Sequence, residues 1–86
     1  MIKGKTKSGF EFEIDEANVN DYRLLKLIAQ AETNKMIITD IVSRLFGEEQ
    51  EERFLKHLED EHGRVSLELV DAEIAEIFHK VREVKN

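Results

Sequence analysis

The chain is short, acidic and free of cysteine and proline: its 86 residues include 13 basic and 19 acidic side chains, for a formal net charge of -6. A chain of this length forms one domain with a small core, so we take residues 1–86 as a single domain. The acidic balance argues against nucleic acid as a partner, and the absence of cysteine excludes disulfides and thiolate metal sites. No segment has the apolar run of a signal peptide or a membrane helix, so we expect a cytoplasmic protein.

Apolar and charged residues alternate over residues 2–14, and Gly9 interrupts the pattern, which predicts a β-hairpin. With a loop over residues 7–9 and Gly9 left-handed, every lysine of one strand faces a glutamate of the other. The pairs are then Lys5 with Glu11, Lys3 with Glu13, Ile2 with Ile14, and Gly4 with Phe12, whose ring would cover the bare glycine backbone. A loop over residues 8–9 alone would set lysines against apolar residues and is the weaker alternative. Because an isolated hairpin is marginal in water, we expect helices to cover the face that carries Phe10, Phe12 and Ile14.

The first predicted helix covers about residues 20–31, with Asn18 or Asn20 as the N-cap and Asp21 in the first turn. Apolar side chains occupy more than half of its circumference: Tyr22, Leu24, Leu25, Leu27, Ile28, Ala29 and Ala31. Such a wide apolar face predicts a central position, against both the hairpin and the other helices.

The second predicted helix covers about residues 34–46, capped by Thr33 or Asn34 and ended by a left-handed Gly47. Its apolar residues recur at spacings of three and four: Ile37, Ile38, Ile41, Val42, Leu45 and Phe46. The β-branched pair at residues 37–38 is also compatible with a strand, and that alternative stays open here.

The third predicted helix covers about residues 48–62 and ends before Gly63. Its N-terminus carries Glu48, Glu49, Glu51 and Glu52, where the helix dipole favours negative charge.

A fourth helix covers about residues 66–84. Ser66 is its predicted N-cap, and Val65 and Val70 form a hydrophobic staple across that cap. Together these elements predict an α+β fold, an N-terminal β-hairpin packed on a bundle of about four α-helices.

The fourth helix carries a narrow apolar seam with the three-four spacing of a coiled coil. The seam consists of Leu67, Val70, Ile74, Ile77, Val81 and Val84. Two interpretations are open: the seam belongs to the core of the domain, or it contacts a partner or a second copy. On the second interpretation we expect Ile74, Ile77, Phe78 and Val81 to form the partner-binding site.

No residues point to catalysis, to a cofactor or to a metal. When Gly63 is placed at the glycine of an EF-hand loop, Leu58 and Leu69 fall where the loop needs carboxylates. His57, Glu61 and His62 lack the spacing of a zinc motif. The serines have plainer roles as turn, surface and cap residues, so we do not expect an enzyme.

Four segments along the chain resemble one known family. They are KTKSGFEFEI, NDYRLLKLI, RLFGEEQEERFLKHLEDEHGRVS and EIAEIF, and together they are similar to the small tail assembly chaperones of long-tailed bacteriophages and of prophages of Gram-positive bacteria. The most specific part is LFGEEQ followed by LKHLEDEHGRVS.

The resemblance implies a non-catalytic protein of the host bacterial cytoplasm that binds the tape measure protein and keeps it soluble during tail tube assembly. The partner that it implies is the tape measure protein, and the tail tube protein and further copies of the chain are additional candidates. The chain resembles the short form of a family in which a frameshift-extended form is common. Two other classes stay open, a structural head-tail or tail component and a small regulatory protein-binding adaptor.

Overall fold

The computed structural model describes the backbone of residues 1–85 and the side chains up to Arg82. An N-terminal antiparallel hairpin is followed by helices, which confirms the predicted α+β fold. The elements in chain order are β1 (Ile2–Lys5), β2 (Glu11–Ile14), α1 (Glu16–Val19), α2 (Tyr22–Ala31), a 3-10 turn (Lys35–Ile37), α3 (Ile38–Phe46), α4 (Glu48–Leu58) and α5 (Leu67–Lys85).

The hairpin has the register that the charge pattern predicted. Its pairs are Ile2 with Ile14, Lys3 with Glu13, Gly4 with Phe12 and Lys5 with Glu11. Gly9 has a φ of 98°, and its N–H donates to the carbonyl of Thr6 over 2.9 Å. The Phe12 ring covers Gly4 so closely that a Cβ at that position would stand 2.5 Å from its Cζ atom. Only glycine fits opposite this ring without a shift.

The core lies between one face of the hairpin and the inward faces of the helices. Its side chains are Ile2, Phe10, Phe12, Ile14, Leu24, Ile38, Ile41, Val42, Leu45, Phe46, Phe54, Val70, Ile74, Ile77 and Val81. The rings of Phe10, Phe46 and Phe54 pack at centroid distances of 4.9–5.9 Å, with Phe10 edge-on to the other two. Through Phe10, which directly precedes β2, this aromatic cluster joins the hairpin to α3 and α4, as expected for the predicted cover of the hairpin.

The prediction that the first long helix is central is wrong. Only Leu24 of α2 is fully buried, whereas Tyr22 and Leu25 are 75% and 56% exposed. The central helix is α3, which buries Ile38, Ile41, Val42, Leu45 and Phe46. The N-cap prediction for α2 also needs correction: the Asp21 side chain accepts from the N–H of Arg23, and the residues before it form the separate helix α1, capped by Asp15.

The start of α3 is helical, so the strand alternative for residues 37–38 is excluded. Asn34 caps the preceding 3-10 turn by accepting from the N–H of Met36 over 3.1 Å. Gly47 ends α3 and begins α4, but with φ 80° and ψ 166° rather than in the left-handed helical conformation predicted. That region of backbone space is open essentially to glycine alone, so the sharp turn between the two helices depends on Gly47.

Helix α4 ends at Leu58, four residues before the predicted end at residue 62. The Asp60 carboxylate accepts from the N–H groups of His62 and Arg64, and this local turn replaces helical hydrogen bonds. Gly63, with a φ of 79°, completes the turn rather than the helix. Helix α5 then begins as predicted, because the N–H of Leu69 donates to the hydroxyl of Ser66.

Candidate partner-binding groove

The structure separates the four side chains that were expected to contact a partner. Ile74, Ile77 and Val81 are 3%, 0% and 1% exposed and belong to the core of the domain. Phe78 is only partly buried. The seam therefore faces inward over these positions, while the side chain of Val84 lies outside the described residues. The physical reason is that a domain this small needs the whole apolar face of its longest helix to complete its core.

An apolar groove lies between α2 and α5, with α3 as its floor. A depression of about 260 Å³ in this groove is lined by Ile28, Ala31, Glu32, Ile38, Ile41, Asp71, Ile74, Ala75 and Phe78. A smaller one of about 100 Å³ adjoins it, lined by Ala31, Lys35, Ile38, Leu67, Glu68 and Asp71. The groove brings together two of the four expected residues, Ile74 and Phe78, which are one helical turn apart on α5. Ile77 and Val81 point away from it into the core.

The rim of the groove is mostly negative. Its charged side chains are Glu32 at the C-cap of α2, Glu68 and Asp71 on α5, and Lys35. None of these side chains takes part in the ion pairs found among the described residues. An apolar floor with unpaired charges around it is typical of a surface that binds another polypeptide, where the floor supplies affinity and the rim supplies selectivity.

A second cluster contains a serine, a histidine and a glutamate, and its geometry is not catalytic. The hydroxyl of Ser8 donates to Oε1 of Glu73 over 2.9 Å and lies 3.0 Å from Nε2 of His57. A serine nucleophile needs a histidine that takes its proton and an acid that orients that histidine. Here the proton of Ser8 points to the acid, and the hydrogen bonds of Glu73 are with Ser8 and Thr6.

The cluster fastens the hairpin loop to α5. The hydroxyl of Thr6, itself buried, donates to Glu73 over 2.8 Å and accepts from the N–H of Phe10 over 3.1 Å. One turn further along α5, Glu76 accepts from the N–H of Lys7 over 2.8 Å. No pattern in the sequence predicted this network. Glu73 lies three residues after Val70, on the inward side of α5, and that spacing was the signal that it is buried.

Asp21 and Arg44 form the shortest ion pair among the described residues and tie α2 to α3. Nε of Arg44 lies 2.6 Å from Oδ2 of Asp21. This hydrogen bond with Arg44, together with the hydrogen bond from the N–H of Arg23, holds the pKa of the Asp21 carboxyl below its usual value. The pair links the N-terminus of α2 to α3 and so helps to fix the helix that forms one wall of the groove.

His57 and His62 contact neighbouring side chains of the domain. His57 contacts Ser8 and stacks at a tilt on Phe10, and His62 lies 3.6 Å from Glu61. Over the part of the chain that the structure describes, no three acidic or histidine side chains are grouped so that they could hold a metal ion. No described helix is both long and apolar enough to cross a membrane.

Comparisons with known protein families, with curated proteins and with solved structures found no match to this chain. The function of the chain is therefore inferred from the resemblance of the four segments and from the geometry of the groove.

Proposed function

We propose that this chain is a non-catalytic tail assembly chaperone that binds a long helical client, the tape measure protein of a long-tailed phage or prophage, and keeps it soluble while the tail tube assembles. The observation that carries the proposal is the apolar groove between α2 and α5. The resemblance of the four segments to tail assembly chaperones supplies the identity of the client.

A groove between two helices suits a helical client. An amphipathic helix binds by placing apolar side chains at positions i, i+3, i+4 and i+7 into such a groove. The partly buried Ile28 and Phe78 offer aliphatic and aromatic surface above the buried floor, and Ala31 and Ala75 on the two walls leave room for close approach. A client with long apolar stripes then exposes less apolar surface to other copies of itself.

The charge of the chain supports the same role. Each bound copy adds a formal charge of -6, and a client covered by many copies becomes strongly negative. Complexes that carry a large charge of one sign repel each other and stay dispersed. One shallow groove per copy gives weak binding, which suits a partner that must be displaced when the tube protein polymerises.

The test is co-expression of this chain with the tape measure protein, scored by the soluble fraction of the client and by the copy ratio in the purified complex. The sharpest variant is Ala75→Arg, which places a long charged side chain in the groove from an exposed position. Ala72→Arg is the matched control: it makes the same change at an exposed alanine of the same helix, outside the residues that line the groove.

We expect wild type and Ala72→Arg to keep the client soluble and Ala75→Arg to fail while still folded by circular dichroism. An insoluble client with this chain free in solution would refute the proposal. Recovery of this chain in purified phage particles would indicate a structural component instead. A regulatory adaptor would leave the tape measure protein untouched and co-purify with a different target.

A further inference from the structure

We propose that the groove selects amphipathic helices whose apolar stripe is flanked by lysine or arginine. Glu68 and Asp71 on α5 and Glu32 at the C-cap of α2 bind those flanking cations. The inference deepens the proposed function and rests on it, because it specifies which segments of a helical client the groove binds.

The charged side chains along the groove are mostly acidic. The groove has carboxylates on both walls, Glu32 on one and Glu68 and Asp71 on the other, against a single cation, Lys35. All four side chains are exposed, and the ion pairs among the described residues do not include them. Their charges are therefore available to a ligand rather than already neutralised within the domain.

The groove, with its buried floor and acidic walls, suits an amphipathic helix with cations beside its apolar stripe. The two depressions share Ala31, Ile38 and Asp71, so they form one continuous groove. A helix laid along it presents apolar side chains to the floor about every turn, and the residues beside that stripe come close to the two walls. Cations at those flanking positions meet carboxylates on both sides, whereas anions there meet like charge and are repelled.

The acidic residues in the first half of α5 form two pairs that differ in their partners. The first half of that helix, residues 67–76, carries Glu68, Asp71, Glu73 and Glu76 and no basic residue. Glu73 and Glu76 are used internally, by Thr6, Ser8 and the N–H of Lys7. The other two line the groove and have no such partner, which separates a structural pair of acids from a pair that faces a ligand.

The experiment uses the full chain and two fluorescein-labelled synthetic peptides of about 20 residues with the same leucine stripe at helical spacing. One peptide has lysine and the other glutamate at the flanking positions. Fluorescence anisotropy gives each Kd at low and high salt. An exposed ion pair changes affinity by up to about fivefold, so two or three of them predict a preference of about tenfold or more for the lysine peptide, reduced by salt.

The deciding variant is Glu68→Lys with Asp71→Lys, at the second and fifth residues of α5. Glu49→Lys with Glu52→Lys is its matched control, because those exposed acids occupy the second and fifth residues of α4. We expect the variant in α5 to lose or reverse the preference and the variant in α4 to keep it. Both should retain the wild-type circular dichroism spectrum.

The outcomes separate this inference from the proposed function. Equal affinity for the two peptides, or the same loss of preference in both double variants, would overturn the inference, and so would peptide binding that Ala75→Arg leaves unchanged. A chain that binds neither peptide but solubilises the tape measure protein would overturn the inference and leave the proposed function standing. Selective binding of the lysine peptide without any effect on the tape measure protein would do the reverse. Self-association of the free chain that Ala75→Arg abolishes, with no peptide bound, would assign the groove to a second copy and overturn the inference.

Discussion

Substitution of Thr6 by valine tests whether the buried hydrogen-bond network holds the hairpin on α5. Valine keeps the shape of threonine and removes only the hydroxyl. Thr6 is 4% exposed, and its hydroxyl serves two groups, as donor to Glu73 over 2.8 Å and as acceptor from the N–H of Phe10 over 3.1 Å. Both groups lose a partner at once in Thr6→Val.

The magnitude follows from those two losses. A buried N–H left without a partner costs about 1–3 kcal/mol, and a hydrogen bond to a charged group is worth about 1.5–3 kcal/mol. Glu73 keeps its hydrogen bond from the exposed Ser8, where water can enter, so we take values near the lower ends of both ranges, about 3 kcal/mol in total. Thr6→Ser is the matched control, because it keeps the hydroxyl and loses one methyl group, worth about 1 kcal/mol.

The assay is urea denaturation followed by far-ultraviolet circular dichroism, supported by thermal unfolding. We expect Thr6→Val to be about 2 kcal/mol less stable than Thr6→Ser, which corresponds to a Tm lower by roughly 10 °C in a domain of this size. In a double-mutant cycle with Glu73→Gln, the two effects should fail to add by about 1 kcal/mol, because Glu73→Gln removes the charge from the same hydrogen bond that Thr6→Val removes. Equal stability of Thr6→Val and Thr6→Ser would refute the reasoning.

Three further predictions concern stability. Gly4→Ala places a methyl group 2.5 Å from the aromatic ring that covers Gly4, so we expect a loss of about 1–3 kcal/mol in urea denaturation, and a loss below about 0.5 kcal/mol would contradict that packing. Ile77→Ala should cost about 2–5 kcal/mol because Ile77 is fully buried, whereas Leu25→Ala, on the exposed face of α2, should change the free energy of unfolding by less than about 0.5 kcal/mol; similar losses would contradict the burial. The contact with Arg44 lowers the pKa of Asp21, so its contribution is present at neutral pH and is lost as the pH falls below about 4. Asp21→Asn keeps the N-cap, so its stability deficit against wild type should be constant above that pH and shrink below it, and a deficit that grows on acidification would show the opposite shift.

The sequence was most informative where the interactions are between near neighbours along the chain. The register of the hairpin followed from pairing Lys3 with Glu13 and Lys5 with Glu11, because a slip by one residue would have exposed the apolar face. The caps at Asn34 and Ser66 were predictable for the same reason, since a cap contacts a backbone group only two or three residues away.

The predictions from the sequence of the length of α4 and of the position of α2 were wrong. Helix α4 was predicted too long because the helical pattern continues to His62, whereas the Asp60 side chain competes for the N–H groups that a longer helix would need. Helix α2 was placed in the centre because apolar side chains occupy more than half of its circumference. Its apolar face is wider than the surface that α3 offers, and Tyr22 and Leu25 remain exposed.

By itself, the sequence determined the fold class, the hairpin and the apolar seam of the last helix, because period-two and three-four patterns specify which residues of one element share a face. Only the tertiary structure decided what that face contacts. Hydrophobic burial is not directional, so Ile77 is equally suited to its own core and to a partner until the other elements are in place. The groove joins α2 to α5, and the bond from Thr6 to Glu73 spans 67 positions of the chain, so both depend on contacts between residues that no local pattern links.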